Sequence, residues 1–198
     1  MVSFSWQMIL EEMRATHVAS AELQAFCPFP DDIRAQSVCP FQIPSSALLQ
    51  KDEGLFSDIY EGFRDAIVEA APHAAWRQTF KGTNVSTRFL NEFGCYSLIG
   101  NGGPFESDIM KAWIVYMPAR LYYPWHHHPA EEAYLCLAGQ ADYRKQGEAD
   151  KVLRAGGVTI HKSSQSHAME THECPVLNYV VWRNEFDIAP VLTYEDAR

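Results

Sequence analysis

The residues of this chain whose types and spacing can do chemistry crowd into one stretch, Tyr122 to Gly139, which reads Tyr-Tyr-Pro-Trp-His-His-His-Pro-Ala-Glu-Glu-Ala-Tyr-Leu-Cys-Leu-Ala-Gly. His126 and His128 are two apart, so on an extended strand both imidazoles point to one face. Glu132 and Tyr134 return to that face by the same period. Imidazole, carboxylate and phenol on one side of a strand read as half of a metal site, and the rest must come from elsewhere in the chain. His167 is the candidate. Six of the eight histidines (126, 127, 128, 161, 167 and 172) fall within 47 residues, and His167 follows the strand-like Gly157-Val-Thr-Ile-His by a hairpin-return distance. His126, His128, Glu132 and His167 would offer nitrogen and oxygen donors to zinc, iron or manganese, and the set does not choose among these. His127, between two ligands, should face away; His161 reads as structural and His172 stays open. The run ends in Leu-Cys-Leu-Ala-Gly, which predicts a strand closing in a tight turn at Gly139.

The elements that must position these residues change character along the chain. Trp6, Ile9, Leu10 and Met13 recur at helical spacing, predicting one amphipathic helix from Phe4 to Phe26 that Cys27-Pro28-Phe29-Pro30 ends. A loop to Pro44 is expected to wrap the domain. Leu55, Ile59, Phe63 and Ile67 lie at successive intervals of four and predict a second helical region, ended by Pro72. After about residue 84 the period shortens. Thr87–Phe93, Cys95–Ile99, Ala112–Met117, Ala133–Leu137, Gln140–Arg144, Val158–His161 and Val176–Trp182 read as short strands divided by Gly, Pro or charged turns. The expected organisation is a helical N-terminal extension over residues 1–83, packed on the barrel or on a second copy to make a homodimer. Residues 84–198 then form a small β-barrel or double-sheet jelly roll. No internal repeat, low-complexity tract or phosphate-binding glycine loop is visible.

Composition sets outer limits. Of 198 residues 47% are hydrophobic and 13% aromatic, enough to bury a sizeable core. A formal charge of −9, with a pI near 5.3, argues against a nucleic-acid partner, which needs a basic footprint. Residues 1–80 sharpen this, with 5 Lys/Arg against 11 Asp/Glu. Cysteines 27, 39, 95, 136 and 174 are odd in number and lack Cys-x2-Cys spacing, so they read as reduced packing residues of a cytoplasmic protein. The first ten residues lack a basic segment and meet Glu11-Glu12 before a signal core forms, and no apolar run nears the ~18 residues of a membrane span.

His126-x-His128-x3-Glu132-x6-Gly139 resembles the first motif of the cupin superfamily. A degenerate second motif follows, in which Gly156 and His167 keep their places while Lys162, Ser164 and Thr171 replace its Pro, Gly and Asn. Within cupins, the extended form Tyr123-x2-His126-x-His128-x3-Glu132-x-Tyr134, the chain length and the helical extension resemble the cupin dimethylsulfoniopropionate (DMSP) lyases, firmly from about residue 120 onward. That resemblance implies a mainly β fold, a cupin-like double-stranded β-helix (jelly-roll barrel) with an α-helical N-terminal extension. It implies one divalent ion per chain, no organic cofactor, and β-elimination of a small zwitterionic substrate to dimethyl sulfide and acrylate. A bound Lewis acid suits that chemistry, because the proton alpha to a carboxylate is very weakly acidic. Tyr134 holds the place of the lyases' catalytic tyrosine, and Tyr123 is a second candidate for catalysis or for positioning substrate. Trp182, with Tyr123 and Trp125, would hold a sulfonium over ring faces, an interaction of about 0.5 to 2 kcal/mol. Two rival readings are an iron-dependent cupin dioxygenase, separable by oxygen dependence, and a non-catalytic small-molecule-binding cupin, separable by absent turnover at full metal occupancy.

Overall fold

The computed structural model describes residues 4–193. The first three and last five residues of the expected extension and barrel lie outside them. Among the described residues no helix is long and apolar enough to cross a membrane.

The N-terminal region is helical but more broken than its periodicity suggests. Helix α1 (Trp6–Ala19) starts where the Ser5 side chain accepts from the Gln7 N–H, and it buries Ile9, Leu10 and Met13. Each such side chain contributes roughly 1.5–3 kcal/mol of burial. Ser20 then divides the single expected helix. Extended at φ −87°, ψ 109°, it closes α1 with its own N–H and caps α2 (Ala21–Phe26) by accepting from the Leu23 N–H. A serine that serves as cap to both neighbours reads as helix interior only if its competing hydrogen bonds are ignored. The wrapping loop carries the short strand β1 (Arg34–Ala35), and Pro44 opens a further short helix, α3 (Pro44–Leu49). The second expected helix starts late, as α4 (Glu61–Ala70): Phe63 and Ile67 are buried in it, while Ile59 precedes it and is exposed.

Strand β2 (Trp76–Arg77) precedes a correction. Residues 87–93 were expected as a strand, yet Thr87–Glu92 form helix α5, because the Ser86 side chain caps it by accepting from the Phe89 N–H. Phe89 and Phe93 stack with centroids 4.7 Å apart, the i, i+4 contact of a helix face. The strands that follow are β3 (Gly94–Ile99), β4 (Phe105–Glu106), β5 (Lys111–Met117), β6 (Tyr122–His127), β7 (Glu131–Lys145), β8 (Lys151–Arg154), β9 (Val158–His161), β10 (His167–Glu170), β11 (Val176–Arg183) and β12 (Val191–Leu192).

These strands form the expected double-stranded β-helix, two sheets joined through β7. Its first half pairs with β11 and β9, and its second half pairs with β8 and β10. The first sheet runs β1-β4-β3-β5-β11-β7; the second continues β7-β10-β6-β12. The tight turn expected at Gly139 is therefore absent, and the runs 133–137 and 140–144 are one strand. Gly139 is instead the corner at which β7 changes sheets. It sits at φ +73°, its N–H donates to the Phe56 carbonyl at 3.0 Å, and a Cβ there would overlap the Pro175 carbonyl oxygen. Glycine is required for close approach as well as for backbone conformation.

Strands β7 and β11 are buried on both faces, which explains their near-continuous apolar runs. Leu135, Leu137, Leu177, Tyr179 and Val181 join Ile9, Met13, Phe63 and Ile67 in one core against the helices. Tyr134, Cys136, Val176, Val180 and Trp182 face the barrel interior in a second core. His17 fastens the helices to the barrel. Fully buried, its Nε2–H donates to the Cys27 carbonyl at 2.7 Å, so Nδ1 accepts from the Tyr179 hydroxyl at 3.0 Å. His17→Leu strands that carbonyl and hydroxyl, with an expected loss of about 1–3 kcal/mol. Burial also lowers the His17 pKa below its ordinary 6.5. The unfolded chain then binds a proton that the folded chain refuses, and this part of the stability is lost as pH falls below 6.5. Urea titrations at neutral and mildly acidic pH check both statements: the variant should be less stable and should lose less on acidification than the parent.

Candidate metal centre

The site lies between the sheets. His126 on β6, His128 just beyond it and His167 on β10 come from the second sheet; Glu132 and Tyr134 on β7, His161 on β9 and Trp182 on β11 come from the first. His126 and His128 do share a face, but Glu132 reaches it from the next strand, after a turn at Pro129-Ala130. A bulge decides which residues of β6 accompany them. Met169 of β10 pairs with Tyr123 and His167 with His126, so between these pairs two residues of β6, Pro124 and Trp125, oppose the single Ala168 of β10. Tyr123 and His126 therefore both turn inward, although three apart. Trp125 is turned outward and lines a different cavity with Tyr122 and Leu192, so it is removed from the expected substrate pocket.

His128, Glu132 and His167 form a buried group whose donor atoms all lie within 4.8 Å of one another. His128 Nε2 is 3.4 Å and His167 Nε2 3.0 Å from Glu132 Oε2. Neither nitrogen is hydrogen-bonded, although both are buried. Their Nδ1–H groups are committed instead to backbone carbonyls two residues away, His128 to Ala130 at 3.0 Å and His167 to Gln165 at 2.9 Å. Each carbonyl accepts only, so in the neutral imidazoles that bind metal each Nε2 carries a lone pair toward the carboxylate. Two lone pairs and a negative charge converging in a dry site repel, and a cation between them turns each repulsion into an attraction. The group fits a divalent ion on this ground. His126 stands beside the trio rather than in it: its Nδ1–H goes to the Pro124 carbonyl at 2.8 Å, its ring stacks on Tyr123 at 4.1 Å and meets His167 edge-on at 4.1 Å.

The local fold explains the approach of His167. In the second motif Ser164 replaces a glycine, and it adopts the conformation glycine would supply, φ +58°. Its N–H donates to the His128 carbonyl at 2.9 Å, which ties the turn before His167 to the loop bearing His128.

Glu132 is held at both oxygens. Trp182 Nε1–H donates to Oε1 at 2.6 Å and His161 Nδ1–H to Oε2 at 2.9 Å. His161, read from sequence as structural, thus orients a carboxylate at the site, and it also stacks on His167 at 4.1 Å and 16°. The signal for it was topological: Glu132 and His161 are cross-strand partners, as are Glu132 and Trp182. The Trp182 ring lies 4.2 Å from that of His128. Burial opposes ionisation of Glu132, but the imidazoles of His128 and His167 outweigh it and hold the carboxyl well below its ordinary range. Burial takes the His161 pKa down to about 4 and pushes His126 well below 6.5, leaving neutral imidazoles. Burial also works against a charged His128, but the Glu132 charge beside it raises it on balance.

Tyr134 is buried with its ring 6.4 Å from that of His167 and 5.5 Å from that of His161. Burial, then the charge of Glu132, push its phenol well above 10. Tyr123 is wedged against Phe93 at 4.4 Å and Phe89 at 5.5 Å. A cavity of about 440 Å³ opens onto the group, lined among others by Arg77, Phe80, Trp113, Tyr123, Tyr134 and Trp182. His127 faces away as expected, its Nδ1 2.8 Å from the Thr193 hydroxyl, and His172 pairs with Asp142 on the surface at 2.9 Å.

Known proteins match this chain along nearly its whole length. The family model for DMSP lyase matches residues 14–178. The dimethylsulfoniopropionate lyase DddQ of Ruegeria pomeroyi is 42% identical over 192 residues, which is 97% of this chain and 96% of that protein. The crystal structure of DddQ from Ruegeria pomeroyi DSS-3 matches with a TM-score of 0.94 at 41% identity, covering 98% of both chains. A chain from the crystal structures of the DMSP lyases RdDddP and RnDddQII matches with a TM-score of 0.91 at 33% identity, covering 96% of this chain and 97% of that one.

Proposed function

The chain belongs to the DMSP lyase family, and on that premise we propose that it is a carbon–sulfur lyase that cleaves DMSP by β-elimination to dimethyl sulfide and acrylate. The observation that carries the reading is the buried trio His128, Glu132 and His167, two lone-pair imidazoles facing a carboxylate at the base of an aromatic cavity. These three residues would hold the ion, with Tyr134 and His126 flanking them. Zinc, iron and manganese all suit the donor set. When bound, the ion supplies a Lewis acid that neutralises the substrate carboxylate and the charge that develops on it as the alpha proton leaves.

The chain's own residues do the remainder. Tyr134 shares the inward face of β7 with Glu132, and as the phenolate it would take the alpha proton, becoming the phenol and returning that proton to solvent after each turnover. The C–H electron pair becomes the second bond between the alpha and beta carbons, the carbon–sulfur bond breaks toward sulfur, and neutral dimethyl sulfide leaves without needing an acid. Burial first and the Glu132 charge second oppose the phenolate, so commitment of Glu132 to a ligand role removes one of the two obstacles. Trp182 and His161 fix both oxygens of Glu132 and thereby its direction. Tyr123, stacked on His126 and held among phenylalanines, shapes the pocket for the sulfonium end together with the Trp182 ring. The apolar walls keep water from the reacting carbons.

The substrate is a small zwitterion, and the free cysteines among the described residues support a reducing, cytoplasmic home for the protein. The direct test incubates metal-loaded protein with DMSP under nitrogen and follows headspace dimethyl sulfide and dissolved acrylate. Equal amounts of both without oxygen are expected. Turnover that demands oxygen would instead favour a dioxygenase, and none at full metal occupancy a binding protein.

A further inference from the structure

One wall of the reaction cavity carries a guanidinium with a single carbonyl partner, seated on an indole whose buried N–H has none. Arg77, half-buried, lies with its guanidinium carbon 4.6 Å above the Trp113 ring, and one Nη donates to the Asn101 carbonyl at 2.5 Å on the solvent side. No carboxylate among the described residues lies within 4 Å of Arg77, a lack it shares with Arg14 and Arg154, whereas Arg34, Arg64, Arg88, Arg120, Arg144 and Arg183 each have one; of the three, only Arg77 lines the reaction cavity. Beneath it the indole N–H of Trp113 is buried and has no partner. The other charges lining the cavity are accounted for: Lys111 pairs with Asp187 at 2.5 Å, and Glu132 is engaged at the metal group. A guanidinium held in a fixed orientation and short of acceptors suits a planar anion.

Resting on the lyase reading, we propose that Arg77, seated on Trp113, is a carboxylate-docking residue that receives the acid end of the substrate on its way in and of acrylate on its way out. The position argues for docking rather than for the chemical step. Trp113 packs against Trp182 with centroids 5.6 Å apart, and Trp182 in turn bonds Glu132, so two indoles separate the guanidinium from the reacting group. A carboxylate on Arg77 is therefore one stage short of the centre. The chain as a whole carries a charge of −9 and repels anions, which gives a local cation at the cavity its use.

The test compares holoenzyme carrying Arg77, Arg77→Lys or Arg77→Met, the last of which keeps the apolar stem over Trp113. Tryptophan fluorescence titrations with acrylate and with the carboxylate-free ethyldimethylsulfonium ion are run beside steady-state kinetics on DMSP. Arg77→Met should weaken acrylate binding and raise KM by roughly tenfold, with kcat held within about twofold and ethyldimethylsulfonium binding unchanged. Arg77→Lys, which keeps charge without the planar fork, should fall between, and it decides the matter should the methionine variant not fold. Unchanged acrylate affinity overturns the proposal, as does an equal loss for both ligands, which would mean that Arg77 only props Trp113. A parent enzyme that releases no dimethyl sulfide defeats the lyase reading instead, and the acrylate titration then still decides on Arg77.

Discussion

His167→Ala should leave a folded protein that no longer takes up metal. The imidazole removed is one of the two whose Nε2 faces Glu132 Oε2 without a hydrogen bond, and nothing else on β10 replaces it. Loss of a direct ligand should exceed the ~10–100-fold cost in affinity typical of outer partners, so competition with a chelator should show at least ~10²-fold weaker binding. Stability supplies a second readout. A ligand at about a thousand times its dissociation constant stabilises a fold by ~4 kcal/mol, so the parent should melt well above its metal-free form while the variant shows no such difference. The metal-free variant should suffer less than an ordinary buried truncation, because the deletion also removes a lone pair pressed against a carboxylate. Retention of a full metal complement by the variant would show that His126, beside the trio, is the ligand in its stead.

The ligand types were legible in sequence because a period of two is a local property, and His128, Glu132 and His167 do converge. The route by which they converge was not. Glu132 belongs to the strand after the histidines, and the inward turn of Tyr123 depends on a bulge at Pro124 that exists only against β10. Trp125 faces outward simply because it adjoins inward His126, so alternation along β6 already argued against it as a pocket residue; only the inward turn of Tyr123 needed the bulge. Gly139 shows the converse failure. A glycine at the end of an apolar run reads as a turn, yet here the chain continues, and the glycine is needed because the Pro175 carbonyl lies where a side chain would be. His161 and Trp182 became interpretable only with the pairing, since each faces Glu132 across a strand from 29 and 50 residues away. Trp182 also gains a role that composition could not give it: its N–H orients the Glu132 carboxylate while its ring lines the cavity, so removing the indole is expected to disturb metal and substrate binding together. On the helical side, the serines at 20 and 86 decided the outcome through their side-chain hydrogen bonds, which outweighed the apolar period around them.

Tyr134→Phe should abolish most turnover while sparing both fold and metal. The phenylalanine ring preserves the contacts with Tyr143, His161 and His167, whose centroids lie 6.0, 5.5 and 6.4 Å away, and only the hydroxyl is lost. If that oxygen takes the alpha proton, metal-normalised kcat should fall by at least ~10²-fold, the usual contribution of a positioned base, with KM altered far less. Exchange of the alpha hydrogens of DMSP with deuterated solvent offers a probe that does not rely on product release: any exchange seen with the parent should disappear in the variant. Tyr123→Phe is the comparison that makes the result specific. Tyr123 is packed among Phe89, Phe93 and His126, and loss of its hydroxyl should act on KM more than on kcat. Should the two variants behave the other way round, with Tyr134→Phe within a few-fold of the parent and Tyr123→Phe nearly inactive, the proton goes to Tyr123 and Tyr134 serves the ion and the shape of the pocket.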